Sequence, residues 1–212
     1  HAAEAMVDRT KIVLKTGATK TDQTQSDVTD RQLFKLQEEV PIQGIDAVIG
    51  YDALRNYLAQ LSRAGLASSQ VIAVKIDHIE NLCAKASADE FLYILTEVVL
   101  AIGNGMKENG HIMAYAGSGH FLVISSKAYM ESSANMELEI QNCLDERDIE
   151  YDNGDPLYIE VSIGNPIRPS FDKSAQGRKT FSRAIARAES RAIGKQNGLR
   201  QPHISLVGKK RL

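Results

Sequence analysis

Residues 111–125 read HIMAYAGSGHFLVIS, two short apolar runs joined by Gly117, Ser118, Gly119 and His120. Apolar runs of this length around a glycine-rich turn predict an antiparallel hairpin. Upstream, Val71–Asp77 (VIAVKID) is apolar until its end, as expected of a strand buried on both faces that emerges at a sheet edge. Lys75 and Asp77 share one face of that strand, because side chains alternate with period two. Downstream, Leu157–Gly164 (LYIEVSIG) alternates as another strand. Helical periodicity predicts a helix from an Asp52 cap to about Arg63, and others over 88–103, 128–147 and 180–195, with an edge strand at 204–207. Helices interleaved with strands that include a tight hairpin predict an α+β domain, a mostly antiparallel sheet covered by helices.

The chain has 212 residues, 43% hydrophobic and 25% charged, ordinary for a globular protein with one sizeable core. No run approaches the length of a membrane span, and no leader pattern is present. Cys83 and Cys143 match no metal or redox spacing, so the expectation is small core residues in a reduced, cytoplasmic protein. The net charge of −2 conceals a split. Residues 1–167 hold 13 basic and 25 acidic side chains, whereas 168–212 hold 12 basic and only Asp172 and Glu189 as acids. Such asymmetry points to an anionic partner at the C-terminal end.

Thr16–Asp30 is too polar to offset its ordering entropy and reads as a linker. Asp30 can cap a short helix that Pro41 ends. The domain organisation expected is therefore a flexible segment over 1–43, a compact domain over 44–207 and a basic tail over 208–212.

Taken together, these segments resemble a GGDEF domain, the diguanylate cyclase family. AYAGSGHFLVIS stands where that family has R-x-G-G-D/E-E-F and an apolar strand, and VIAVKIDHIENL where it has a strand ending D-x-D-x-F-K. YIEVSIG resembles the V-S-I-G strand, AESRAIGKQNG (188–198) the closing helix, and DAVIGYDALRNYL (46–58) a worn D-x-L-T-G-L-x-N-R. The resemblance covers roughly 44–206 and implies a nucleotide-cyclase palm-like fold with a five-stranded sheet.

The departures bear on function. Members of the family bind GTP with two divalent cations held by the first Asp of D-x-D and the third position of GGDEF; here these are Lys75 and Gly119. Hard cations need several oxygen ligands, and an ammonium a few ångströms from one repels it by roughly 4 kcal/mol at an effective dielectric near 20. The resemblance thus implies no resident metal, no cofactor and no cyclase activity. His120 stands where a Glu would be, and Cys83 near the guanine-recognising Asn. Asp89 matches a second guanine contact and Lys195 the phosphate-binding Lys, while Leu199 replaces an Arg. The product-inhibition R-x-x-D becomes Glu108 and His111. Lys75, Asp77, Asp89 and Lys195 would form a vestigial nucleotide pocket beside the loop Gly117–His120. Lys75 either pairs with Asp77 or Asp89, or takes a metal's place under a nucleotide phosphate. His120 reads as a turn residue or a ligand, and a metal held by His111, His120 and Asp77 is the remotest reading.

Arg183, Arg187, Arg191 and Lys195 recur every four residues and form a basic stripe on one helix face. It reads as a solvated face or as a docking surface. Nucleic-acid binding would add stacking aromatics, and from 177 onwards only Phe181 is available. The functional expectation is a catalytically inactive GGDEF-like module of bacterial signalling, regulatory or scaffolding, with a protein partner, an adjacent domain or a second copy and with no membrane contact. The alternatives are a non-catalytic sensor of GTP or cyclic di-GMP, binding weakly, and an anion- or nucleic-acid-binding surface on the basic helix.

Overall fold

The computed structural model describes Ile42 and residues 45–106, 110–126, 132–172 and 176–200. The elements are α1 (Tyr51–Gln60), α2 (Arg63–Ser68), β1 (Ser69–Ile76), α3 (Ile79–Lys85), α4 (Ala88–Gly105), β2 (Ile112–Tyr115), β3 (His120–Ser126), α5 (Ser133–Asp145), β4 (Val161–Ile163) and α6 (Gln176–Arg200). The sheet order is β2-β3-β1-β4, and every pair is antiparallel. The α+β architecture with an antiparallel sheet flanked by helices is the expected one.

The alternation of β1 divides the interior into two layers. Ile72, Val74 and Ile76 enter a core with Phe91, Ile94, Leu95 and Val98 of α4 and Met136, Ile140 and Leu144 of α5. Val71 and Ala73 point the other way, into a second core with Leu54 and Leu58 of α1 and Phe181, Ala184 and Ala188 of α6. Both faces of β1 are therefore covered, which its unbroken apolar run anticipates. Ile42, just before the expected boundary at 44, is also buried.

Several boundaries differ from expectation. Gly50, not Asp52, is the N-cap of α1; Asp52 lies in the first turn and pairs with Arg55 at 2.7 Å. Ser62 then starts the separate helix α2, accepting from the Gly65 N–H at 3.1 Å. The short helix α3 was not anticipated. α4 begins at a full capping box, Ser87 with Glu90. α5 starts after the Ser132 cap and ends at Asp145, and α6 is longer at both ends than 180–195. Only Val161–Ile163 of the expected 157–164 strand pairs in the sheet, because the Leu157 N–H turns back to the Ile149 carbonyl at 2.8 Å. The helix and linker before 41, residues 128–131 and the edge strand at 204–207 lie outside the described residues.

The sheet has four strands where five were expected, and the edge at β4 explains how it stops. Its outward N–H groups are taken by side chains of α5: Ile163 N–H donates to Glu137 Oε2 at 2.9 Å and Val161 N–H to Gln141 Oε1 at 3.2 Å. The Val161 carbonyl accepts from Lys195 Nζ of α6 at 2.8 Å. An edge whose backbone groups are already satisfied presents no template for another strand.

α6 reaches the sheet closely because small residues line the crossing. A Cβ on Gly164 would lie 2.6 Å from the Ala188 nitrogen and 2.8 Å from Arg187 Cβ. Gly164→Ala is expected to force α6 outward and cost about 1–3 kcal/mol, a drop of several degrees in Tm. Thermal and urea denaturation measure it; a variant as stable as the parent contradicts the close approach.

Candidate functional site

Where the apolar run of β1 ends, register places three polar side chains in one row. Lys75 pairs with His120 of β3 on one side and with Ser162 of β4 on the other. All three face α6, the layer that also covers Ala73, Leu122 and Ala188. Asp77, one step beyond Lys75 on the same face, is 6% exposed. Its Oδ2 accepts from Ser162 Oγ at 2.7 Å and lies 3.4 Å from Lys195 Nζ. The hydroxyl and the ammonium compensate that oxygen, while Oδ1 is buried without a hydrogen-bond partner. From α6, Glu189 Oε1 approaches His120 Nε2 at 3.5 Å, too far for a strong hydrogen bond.

The hairpin turn is wound through three successive left-handed residues: Gly117 at φ 81°, Ser118 at 50° and Gly119 at 74°. Two of its four amides are spent internally. Gly119 N–H donates to Tyr115 Oη at 3.1 Å and His120 N–H to the Gly117 carbonyl at 3.0 Å, while the Gly119 carbonyl accepts from Ile76 N–H at 2.8 Å. A glycine turn binds phosphate by converging free N–H groups, and two of these are committed. Position 119 is also tight and strained for a side chain. A Cβ there would meet Cβ, Cγ1 and Cγ2 of Ile79 at 3.0, 3.1 and 3.2 Å, at a φ that disfavours one.

The electrostatics favour neutral groups at the turn and charged ones at the β4 edge. Burial lowers the His120 pKa below its ordinary 6.5, and nearby Lys75 lowers it further, against weaker pulls from Glu189, the Gly117 carbonyl and Glu80. Burial holds the Tyr115 hydroxyl up at about 12, so the phenol that receives the Gly119 amide stays neutral. For Glu137, burial pushes the carboxyl up. The Arg191 hydrogen bonds, the Ile163 amide and Lys195 outweigh that and leave it below its ordinary 4.5. Arg191 grips Glu137 with two nitrogens, at 2.7 Å through Nη2 and 3.1 Å through Nε.

Lys75, Asp77, Lys195 and the loop 117–120 therefore come together. Lys75, expected to pair with Asp77 or Asp89, has no ion-pair partner among the described residues; Lys195 occupies Asp77 instead. Asp89 opens α4 and lines a different, acidic groove with Glu90, Tyr93, Asp148, Glu150 and Asp152. Cys83 is buried in α3. The basic stripe is only partly free. Arg187 Nη1 donates to the Asn165 and Pro166 carbonyls at 3.1 and 2.7 Å, Arg191 is held by Glu137, and Arg183 alone of the three has no partner among the described residues. Sequence reasoning missed Ser162, Glu189, Ile79, Tyr115 and Glu137. Only Ser162 had a visible signal, as the polar residue of VSIG at the end of a buried strand.

Members of the resembled family hold two divalent cations, and the residues present here do not fit them. The first carboxylate is an ammonium, the second is a glycine whose side-chain space Ile79 crowds, and Asp77 is paired through Oδ2 with Lys195 at 3.4 Å. Among the described residues no group of three or more His, Cys, Asp or Glu could hold a metal ion, and no helix is long and apolar enough to cross a membrane.

No family model matches the sequence, and no curated protein matches it. Solved structures do. The diguanylate cyclase SiaD of Pseudomonas aeruginosa, in complex with its activator SiaC, is similar over 84% of this chain at 14% identity, with a TM-score of 0.54. This chain spans 66% of that one. The FimX GGDEF domain of the same organism aligns with 74% of this chain and 94% of its own, at 15% identity and a TM-score of 0.51. The GGDEF domain of TpbB (YfiN), also from P. aeruginosa, aligns with 76% of this chain and 90% of its own, at 12% identity and a TM-score of 0.51. At such low identity the likeness is one of fold: the chain has the fold of GGDEF domains.

Stability should fall in two acid windows. A His pKa lowered by folding favours the neutral ring, so that contribution is complete above 6.5 and is lost as the pH falls below it. The Glu137 contribution is present above 4.5 and is lost as the pH falls through the lowered native value. Urea midpoints at pH 7.5, 5.5 and 4 are expected to decline in both steps. His120→Gln should reduce the first step, which buried His111 shares, and Glu137→Gln the second. A parent whose midpoint is constant over these steps contradicts the assignment.

Proposed function

We propose that this chain is a catalytically inactive GGDEF-fold module, acting in bacterial signalling as a regulatory or scaffolding domain through protein–protein contact. The observation that carries the reading is Gly119 itself, at φ 74° and with Ile79 within 3.0–3.2 Å of where a Cβ would sit, so that a carboxylate there would be both strained and crowded. Around it, Lys75 replaces one carboxylate of the resemblance and the Lys195–Asp77 pair consumes another. Two metal ligands are thus lost for different physical reasons, one by charge and one by volume.

The same features weigh against a nucleotide sensor. Lys195, the candidate phosphate contact, is bonded to Asp77 and to the Val161 carbonyl. The Gly119 amide is bonded to Tyr115. Binding GTP here would require breaking contacts inside the fold before making any to the ligand. A protein partner is chemically reasonable for the fold, since SiaD was captured with its activator SiaC. The exposed Arg183 is the open cation of the basic stripe for such a contact.

Calorimetric titration with GTP plus magnesium, and separately with cyclic di-GMP, is expected to give no saturable heat from either. Saturable micromolar binding of either ligand would overturn the proposal in favour of a sensor. Lys75→Asp combined with Gly119→Glu is expected to produce no cyclic di-GMP from GTP and to lower the Tm, because the new side chain collides with Ile79. Product formation by that double variant would mean that the loop can reopen and that inactivity has some other origin.

A further inference from the structure

Two exposed surfaces of opposite charge lie on opposite sides of the sheet. Residues 145–160 hold seven acids and one cation, Arg147, which Glu97 already binds at 2.6 Å. Asp148 and Glu150 line both the groove that holds Asp89 and Asp152 and the one beside Tyr158, so the acids form one continuous face. Asp89, Asp148, Glu150 and Asp152 are exposed, and none forms an ion pair with a described residue. Tyr93 and Tyr158 stand among them, 44% and 82% exposed.

Residues 177–187 of α6 are the converse, with four cations and no acid. Lys179 and Arg183, one turn apart, are exposed and form no ion pair with a described residue. Arg187, a turn further on, spends Nη1 on two carbonyls and keeps its other donors. Carboxylates interleaved with exposed rings suit such a row, because a guanidinium both pairs with the acid and stacks on the ring.

The two faces cannot meet within one copy. Ile149, Leu157 and Ile159 anchor the acidic segment in the core on the α4 and α5 side, whereas Phe181, Ala184 and Ala188 anchor α6 on the other. A contact between unlike faces is heterologous: each copy offers one face and keeps the other. We propose that copies of this chain dock head to tail, Lys179 and Arg183 of one copy against Asp148, Glu150 and Asp152 of the next, with Tyr158 beneath a guanidinium. This rests on the reading of the chain as a protein-contact module and names a second copy as the partner. It also accounts for the charge split of the sequence, since the basic face of one molecule answers the acidic face of another.

Sedimentation velocity of the full chain tests it. At low salt the average mass is expected to rise above 23.3 kDa as the concentration approaches about 0.5 mM. It should return to the monomer at about 0.5 M salt, where charges are screened within a few ångströms. K179Q/R183Q and E150Q/D152N should each weaken self-association at least about tenfold. Mixed together, the two variants should pair one to one and grow no further, because each keeps the face that the other lacks. Thermal midpoints report whether each variant folds; if one does not, the salt series on the parent decides. A parent that stays monomeric at low salt, association indifferent to salt, or folded variants that associate like the parent or fail to pair when mixed would overturn the proposal. A monomeric chain that gives no heat with GTP or cyclic di-GMP overturns this contact alone, whereas nucleotide binding overturns the functional proposal and not the contact.

Discussion

The structure depends most on how α6 is fastened to the open edge at β4. Three residues of one helical row and one beside them do different work there. Arg187 ties down the loop after β4 through two carbonyls, and Ala188 allows Gly164 to approach. Arg191 holds both oxygens of Glu137, one of which also caps Ile163, and Lys195 caps the Val161 carbonyl while pairing with Asp77. Each charge is placed where an unpaired backbone group or a buried carboxylate would otherwise be costly. Helix position, sheet edge and polar row at the end of β1 are therefore one construction.

That construction also decides what the site can do. A carboxylate that binds a cation must be free to face it, and Asp77 is turned onto Lys195 and Ser162. A glycine turn that cradles phosphate must keep its amides free, and Gly119 spends its own on Tyr115. Burial keeps Tyr115 neutral and holds His120 toward the uncharged form beside Lys75. The polar groups at the strand ends satisfy one another only in part: Asp77 Oδ2 is taken by Ser162 and Lys195, while Asp77 Oδ1 and His120 Nε2 are buried without a hydrogen-bond partner.

Much of the fold was legible because it rests on periodicity. The both-faces burial of β1, the hairpin and the helices α4 and α6 all follow from apolar spacing. What escaped were features that depend on partners distant in sequence. The four-strand sheet could not be read, since its edge is closed by Glu137 and Gln141 from α5 and Lys195 from α6. The short strand β4 was overestimated because LYIEVSIG alternates throughout, although the Leu157 amide returns to Ile149. Ile79 is the clearest case: within HIENL it is an ordinary apolar residue, and only packing against Gly119 gives it meaning.

The basic stripe shows why charge counted along a helix does not measure charge offered to a partner. Arg187, Arg191 and Lys195 share one face by spacing alone, as an interaction surface would. Two have their donors on carbonyls or on Asp77, and the third forms a forked bond to a buried carboxylate. A guanidinium that already serves an internal acceptor must give up that bond, or share it, to serve another molecule. Excess positive charge at the C-terminal end is thus partly a structural device for a helix lying on an open sheet edge. Only the part without an internal acceptor, which within the stripe is Arg183, is available to a partner on the same terms as an ordinary surface charge.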